Sequence, residues 1–236
     1  MLSLTGVDVF IQTSQILRGV SLEVGAREVV CLVGRNGAGK TTTLRTIMGY
    51  LRPRAGAVEL HGRPIHGRRT HEIAMLGLGW APEDSGIFSD LTVAENIEIA
   101  TWTRPSGRPA AERIAQAYDV FPALRRYAAR KGPEMSGGER KMLSIARALA
   151  LDPEMLLLDE PFEGLSPAII PAVSAGIATI TGLGRALLIA ESNIHHVPEH
   201  TARLYVIERG EIIFAGRPDD AWRDAGVSRI IGGRSR

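Results

Sequence analysis

The first quarter of the chain consists of short apolar runs separated by turn residues, a pattern typical of β-strands. These runs cover residues 2–9, 20–24 and 29–33. After Val33 the apolar spacing becomes helical over 40–48 and stops at Gly49. A buried strand, a glycine-rich loop and a helix in this order predict an α/β fold with a mostly parallel sheet, preceded by antiparallel strands.

Helical spacing dominates the middle of the chain, at 110–120 and 137–150. Thr92 with Glu95, and Ser136 with Glu139, have the capping-box spacing that marks helix starts. Strands return in the apolar runs 155–158 and 186–190, and residues 204–215 predict a β-hairpin. We therefore predict a single domain over 1–236, whose core comprises 1–83 and 151–236 and whose inserted helical subdomain covers about 84–150.

Composition and charge identify no function and only argue against some classes of protein. Hydrophobic residues make up 44% and charged residues 23%, and 28 Lys and Arg against 26 Asp and Glu give a net charge of +2. This balance does not indicate nucleic-acid binding, and the basic segment 61–71, which lacks interleaved aromatic residues, is predicted to be an exposed loop. The single Cys31 lies in an apolar run and is predicted to be a buried thiol in a reducing compartment. An export signal and a long apolar segment are both missing from the sequence, which predicts a soluble chain.

A phosphate-binding loop is the strongest motif of the sequence. Residues 34–41 fit the spacing G-x-x-x-x-G-K-[ST] between a predicted strand and a predicted helix, which indicates a P-loop NTPase core that binds ATP with Mg²⁺. Lys40 would reach the β and γ phosphates, and the Thr41 hydroxyl would bind Mg²⁺. The alternative is a glycine-rich turn that binds nothing. The predicted nucleotide-binding residues are Gly34, Arg35, Asn36, Gly37, Ala38, Gly39, Lys40, Thr41 and Thr42.

Two adjacent acids end the predicted strand at 155–158. In open α/β sheets, ligands bind at the carboxyl ends of the strands, and two buried carboxylates need a cation or hydrogen bonds to offset their burial. Asp159 is therefore predicted to hold Mg²⁺ through water, and Glu160 to activate the attacking water.

A third motif, Met135-Ser136-Gly137-Gly138-Glu139-Arg140, resembles the signature of ABC transporter ATPases. A well-capped helix that needs no ligand is the alternative interpretation. The resemblance extends over essentially the whole chain and implies that Ser136, Gly137 and Gly138 of one subunit contact the γ-phosphate bound to a second subunit. The implied partners are this second ATPase subunit, identical or related, and transmembrane permease subunits.

Local matches narrow the resemblance to importer ATPases for branched-chain amino acids. Residues 82–96 and 159–167 are similar to that subgroup, in which Glu replaces the Gln that touches Mg²⁺ and the attacking water. Glu83 is thus implied as a metal ligand and catalytic residue. The subgroup also implies an external solute-binding protein as an indirect partner, and a peripheral position on the cytoplasmic face of the inner membrane. Importers of urea and amides share much of this pattern.

Three positions depart from the family pattern. Ile11 stands where an aromatic residue stacks on adenine, and Ser166 where an Asp contacts the other subunit. Ser192 occupies the place of the switch His that reaches the γ-phosphate, and we expect it to act through water as a weak substitute. A regulator that dimerises with ATP and hardly hydrolyses it is therefore an alternative function. Soluble ABC proteins of translation or repair fit less well, because they usually carry two fused cassettes or a long coiled-coil insertion.

Overall fold

The computed structural model describes residues 1–224 and 226–228, so the basic tail 229–236 lies outside the described residues. The strands are β1 (Leu2–Ile11), β2 (Ser14–Val24), β3 (Val29–Val33), β4 (Ala55–Leu60), β5 (Arg63–Pro64), β6 (Leu78–Ala81), β7 (Met155–Asp159), β8 (Ala186–Glu191), β9 (Arg203–Glu208) and β10 (Glu211–Gly216). The helices are α1 (Lys40–Ile47), α2 (Thr70–Met75), α3 (Val93–Thr103), α4 (Ala110–Val120), α5 (Ala123–Arg126), α6 (Gly137–Ala150), α7 (Ile170–Gly182) and α8 (Pro218–Arg223).

The chain divides into two compact units, 1–73 with 186–236, and 74–185. The first unit contains an antiparallel sheet in the order β2-β1-β4-β5. It also contains β8, β3 and β9, which pair in parallel, with β10 added antiparallel to β9. Strands β3 and β8 are buried at every position, as expected for apolar strands covered on both faces.

The second unit contains the parallel pair β6 and β7 and the helices α3 to α7. Every residue of β7 is buried, and helix α6 packs against α3 and α4. Both predicted capping boxes are present: Thr92 and Glu95 start α3, and Ser136 and Glu139 start α6. The predicted helical region 84–150 falls within this unit, which also includes both strands and α7; the subdivision at 84–150 stays a prediction.

The predicted α/β class, with N-terminal antiparallel strands and a mostly parallel core, is confirmed. Cys31 is fully buried, and its burial raises the pKa of the thiol to about 12. The basic segment 61–71 is not entirely a loop, because β5 and the start of α2 lie within it and Ile65 is buried. Among the described residues, no helix has the length and apolar character needed to cross a membrane.

Candidate functional site

The phosphate-binding loop connects β3 to α1 in the first unit. Arg35, Asn36 and Gly37 are exposed at its tip. Within the described residues, no side chain caps the start of α1 and no acid lies in its first turn, unlike the starts of α3 and α6. The partial positive charge of this helix start is therefore not offset by an acid of its first turn, and helix starts of this kind favour phosphate binding.

The Lys40 side chain folds back along the loop. Its Nζ donates hydrogen bonds to the main-chain oxygens of Gly34, at 2.6 Å, and Arg35, at 3.1 Å, and the residue is buried. A buried ammonium group needs such acceptors, and phosphate oxygens provide stronger ones. Lys40 is therefore held over the loop by main-chain oxygens, and its contact with a nucleotide stays a prediction.

The turn between β9 and β10 is hydrogen-bonded to the phosphate-binding loop. Gly210 N donates to Ala38 O at 2.9 Å, and Gly210 O accepts from Arg18 N at 2.8 Å. A Cβ at Gly34 would lie 2.3 Å from Ile207 O, so the loop and strand β9 are in direct contact. The sequence predicts this hairpin but not its contact with the loop, because the two segments are far apart in the chain.

Ile11 and Phe10 end strand β1 and differ in their surroundings. Ile11 is 44% exposed. The Phe10 ring is covered by the Arg54 guanidinium, whose central carbon lies 4.8 Å from the ring centroid. Of the two, Ile11 has the open surface, and its contact with adenine stays a prediction.

Ser192 follows directly after strand β8. Glu191, the last residue of that strand, accepts a hydrogen bond from Gly34 N at 3.1 Å through its main-chain oxygen, which places Ser192 next to the start of the loop. His196 Nδ1 lies 3.6 Å from the Glu191 carboxylate, and the His195 ring lies 5.8 Å from that of Trp222. Both neighbouring histidines thus have partners of their own, and the correspondence of Ser192 to the switch residue stays a prediction.

Asp159 and Glu160 end strand β7 in the second unit, and both are buried. Glu160 adopts a positive φ of 46°, which is unusual for a residue with a side chain. Such a conformation costs of order 1–3 kcal/mol and is concentrated at functional sites. The left-handed backbone at Glu160 therefore marks this position as a candidate functional residue.

Glu83 lies two residues after strand β6, which pairs in parallel with β7 through Ala81 and Leu158. The two strands thus deliver Glu83, Asp159 and Glu160 to the same sheet edge. Partial desolvation raises the pKa of the neighbouring, largely exposed Glu163, and the negative charges of Glu160 and Glu83 raise it further. This edge of the second unit is consequently a cluster of acids.

The start of helix α6 carries the signature residues. Ser136 is exposed, and its Oγ accepts a hydrogen bond from Glu139 N at 3.3 Å, while Ser136 N donates to the Glu139 carboxylate at 2.7 Å. Gly137 is exposed, and a Cβ there would meet nothing within 4 Å. A Cβ on Gly138 would lie 2.6 Å from Ile169 Cγ2, so packing inside the unit explains only the second glycine.

This difference predicts opposite effects of two neighbouring substitutions on folding. We expect Gly138→Ala to lower the free energy of unfolding by about 1–3 kcal/mol, because the added methyl group collides with Ile169. Gly137→Ala should leave it unchanged or raise it by up to about 1 kcal/mol, since alanine favours a helix and meets no atoms. Denaturant unfolding of both variants tests this, and equal destabilisation would contradict the packing described here.

Residues 17–163 match the protein-family model described as ABC transporter. The lipopolysaccharide export system ATP-binding protein LptB of Acidithiobacillus ferridurans is 35% identical, over 91% of this chain and 89% of its own length. The high-affinity branched-chain amino acid transport ATP-binding protein BraG of Pseudomonas aeruginosa is 36% identical, over 90% of this chain and 91% of its own.

A solved structure described as a nucleotide-free ATP-binding cassette from an ABC transporter has a TM-score of 0.84 with this chain. It is 25% identical, and the match covers 99% of each chain. Family model, relatives and fold agree with the phosphate loop and the signature found in the sequence. The chain therefore belongs to the ATP-binding subunits of ABC transporters, the family that couples ATP hydrolysis to transport.

Proposed function

We propose that this chain powers an ABC importer for branched-chain amino acids. The observation that carries the proposal is Glu83, which lies at the sheet edge of Asp159 and Glu160 and matches the acid of that importer subgroup. The similarity to BraG supports it. The similar identity to LptB, whose name describes lipopolysaccharide export, makes export the competing direction of transport.

The proposed roles follow the chemistry of each residue. Residues 34–42 bind the phosphates of ATP through main-chain amides and Lys40. Thr41, Glu83 and Asp159 provide oxygen ligands for Mg²⁺, which offsets the negative charge of the phosphates. Among the described residues no three His, Cys, Asp or Glu form a ready-made metal site. Proteins usually hold Mg²⁺ through one or two carboxylates and phosphate oxygens.

Glu160 is the proposed general base that takes the proton of the attacking water, and Ile11 offers an apolar surface to adenine. The exposed start of α6, with Ser136 and Gly137, is proposed to contact ATP bound to a second ATPase subunit, identical or related. Gly138 lies behind them and allows this helix start to pack on Ile169. The working enzyme would thus be a dimer.

The remaining partners are proposed from the subgroup. Transmembrane permease subunits would hold the dimer at the cytoplasmic face of the membrane, and an external binding protein would deliver the solute to them. Because specificity lies in those partners, importers of urea, amides or another small solute are the nearest alternatives. No nucleic acid is involved in this proposal.

Uptake measurements with the complete transporter test the substrate. The chain is expressed with the permeases and binding protein encoded by neighbouring genes, and the complex is reconstituted into vesicles. ATP-dependent accumulation of leucine, isoleucine or valine is the expected result. Accumulation of urea or an amide instead would contradict the proposed substrate. Movement of a lipid in the opposite direction would contradict the proposal that the transporter is an importer.

A second candidate function is an ATP-dependent dimerising regulator, which Ser192 and Ser166 favour. A serine side chain is too short to contact the γ-phosphate that an imidazole at this position would reach, so slow hydrolysis is expected. We predict that Ser192→His raises the steady-state ATPase rate of the reconstituted transporter severalfold, by supplying a hydrogen-bond donor near the γ-phosphate. An unchanged or lower rate would contradict the role proposed for Ser192.

A further inference from the structure

A buried lysine lies in the second turn of helix α6. Lys141 is 4% exposed, and its Nζ donates a hydrogen bond of 2.7 Å to the main-chain oxygen of Glu83. Burying an ammonium group is costly unless acceptors and opposite charges surround it. The groups around Lys141 therefore indicate which part of the chain this lysine holds in place.

The surroundings of Lys141 are acidic. Glu163 is hydrogen-bonded to the side chain of Glu83, the residue whose main-chain oxygen Lys141 holds, and it interacts electrostatically with Glu160 and with Lys141 itself. The lysine is thus close to the acids at the carboxyl ends of β6 and β7. One cation within such a cluster reduces the repulsion among the carboxylates.

The hydrogen bond also connects two segments that are far apart in sequence. Glu83 belongs to the exposed loop after β6, whereas Lys141 shares a rigid helix with the signature residues. Arg147, six residues further along α6, contacts the same loop through Ser85 O at 3.5 Å and lies over the Phe88 ring. Helix α6 therefore holds the loop that carries Glu83 at two points.

We propose that Lys141 is a positioning residue for Glu83. By holding the main chain of Glu83, it keeps that carboxylate at the sheet edge beside Asp159 and Glu160 during turnover. This inference rests on the proposed function, since it takes Glu83 as the group that contacts Mg²⁺ and the attacking water.

Loss of the bond should affect the chemical step more than nucleotide binding. Small misplacements of a catalytic group reduce rates strongly, whereas the phosphate loop belongs to another part of the chain and keeps its own contacts. Lys141→Met removes the charge and the donor and retains an unbranched apolar side chain of similar length. We expect kcat to fall by about tenfold or more, whereas KM for ATP should stay within about twofold of the wild-type value. The Mg²⁺ concentration that gives the half-maximal rate should rise.

The matched control is Lys131→Met, the same substitution at an exposed residue of the same unit. It should leave kcat and KM unchanged. A double-mutant cycle then separates positioning from general stability. Glu83→Ala by itself should lower kcat. Adding Lys141→Met to that variant should lower kcat no further, because the carboxylate that Lys141 positions is already absent.

All rates are measured on the reconstituted transporter, with the Tm of each purified variant recorded. If Lys141→Met is unfolded at the assay temperature, the cycle is run with Lys141→Gln, whose amide is polar and uncharged. An unchanged kcat, or an equal further loss in the Glu83→Ala background, would overturn the positioning role while leaving the proposed function intact. A wild-type complex that fails to hydrolyse ATP would overturn the proposed function and, with it, this inference.

Discussion

Glu160→Gln should reduce ATP turnover by about 10²–10³-fold, because an amide cannot accept the proton of the attacking water. Glu160 is buried at the end of β7 in a strained conformation with φ at +46°, and glutamine has the same shape. The substitution therefore removes the basic group and leaves the backbone and the phosphate loop intact. ATP affinity, measured by nucleotide titration, should stay within about threefold.

The matched control is Glu154→Gln, which makes the same change just before the opposite end of the same strand. Glu154 is paired with Arg104 at 3.7 Å and its side chain is about half exposed. Loss of such a surface ion pair changes stability by at most about 1 kcal/mol and should not affect turnover. If Glu160→Gln retained more than a tenth of the wild-type rate, Glu160 would not be the general base.

Gly210→Ala should have the largest effect on folding. Gly210 has a φ of +85° in the turn between β9 and β10, and a Cβ there would lie only 2.0 Å from Ile16 O. The left-handed conformation costs a residue with a side chain about 1–2 kcal/mol, and the collision adds about 1–3 kcal/mol. We expect the free energy of unfolding, measured with denaturant, to fall by about 3 kcal/mol.

The same substitution should weaken nucleotide binding. Moving the turn away from Ile16 also breaks the bond from Gly210 N to Ala38 O, which supports the phosphate loop. Loss of one such hydrogen bond is worth about 1 kcal/mol, so the Kd for ATP should rise by roughly five- to tenfold.

A second hairpin of the first unit offers the control. Gly62 follows His61 in the turn between β4 and β5, just as Gly210 follows Arg209, and all four residues have positive φ. A Cβ on Gly62 would meet nothing within 4 Å. Gly62→Ala should therefore cost only the conformational part, about 1–2 kcal/mol, without changing ATP affinity. Equal effects at both glycines would contradict the support of the loop by the β9–β10 turn.

Local sequence signals predict much of the secondary structure. The capping boxes at Thr92 and Ser136 were recognisable because their hydrogen bonds join residues three apart. The buried strands β3, β7 and β8 were recognisable as short apolar runs, and α4 and α6 have the predicted bounds. In each case the sequence signal lies within the element or directly beside it.

Elements without such a local signal were not predicted. Helix α7 (Ile170–Gly182) consists largely of Ile, Val, Thr, Gly and Ala and has no acid in its first turn. Its place within the second unit includes a close approach of Gly176 to the Phe121 ring, a contact that no local pattern reveals. Strand β6 has only four residues, including a glycine, and its pairing with β7 makes it a strand.

The sequence by itself determined the family of this protein and the chemistry of its candidate site. The phosphate loop, the Asp159-Glu160 pair and the signature are contiguous motifs, since each depends on residues that are neighbours in the chain. The tertiary structure alone decided what supports these motifs: Gly210 behind the phosphate loop, Ile169 against Gly138, and Lys141 on the main chain of Glu83. These contacts join segments separated by 31 to 172 positions, and only the packing of the folded chain brings such segments together.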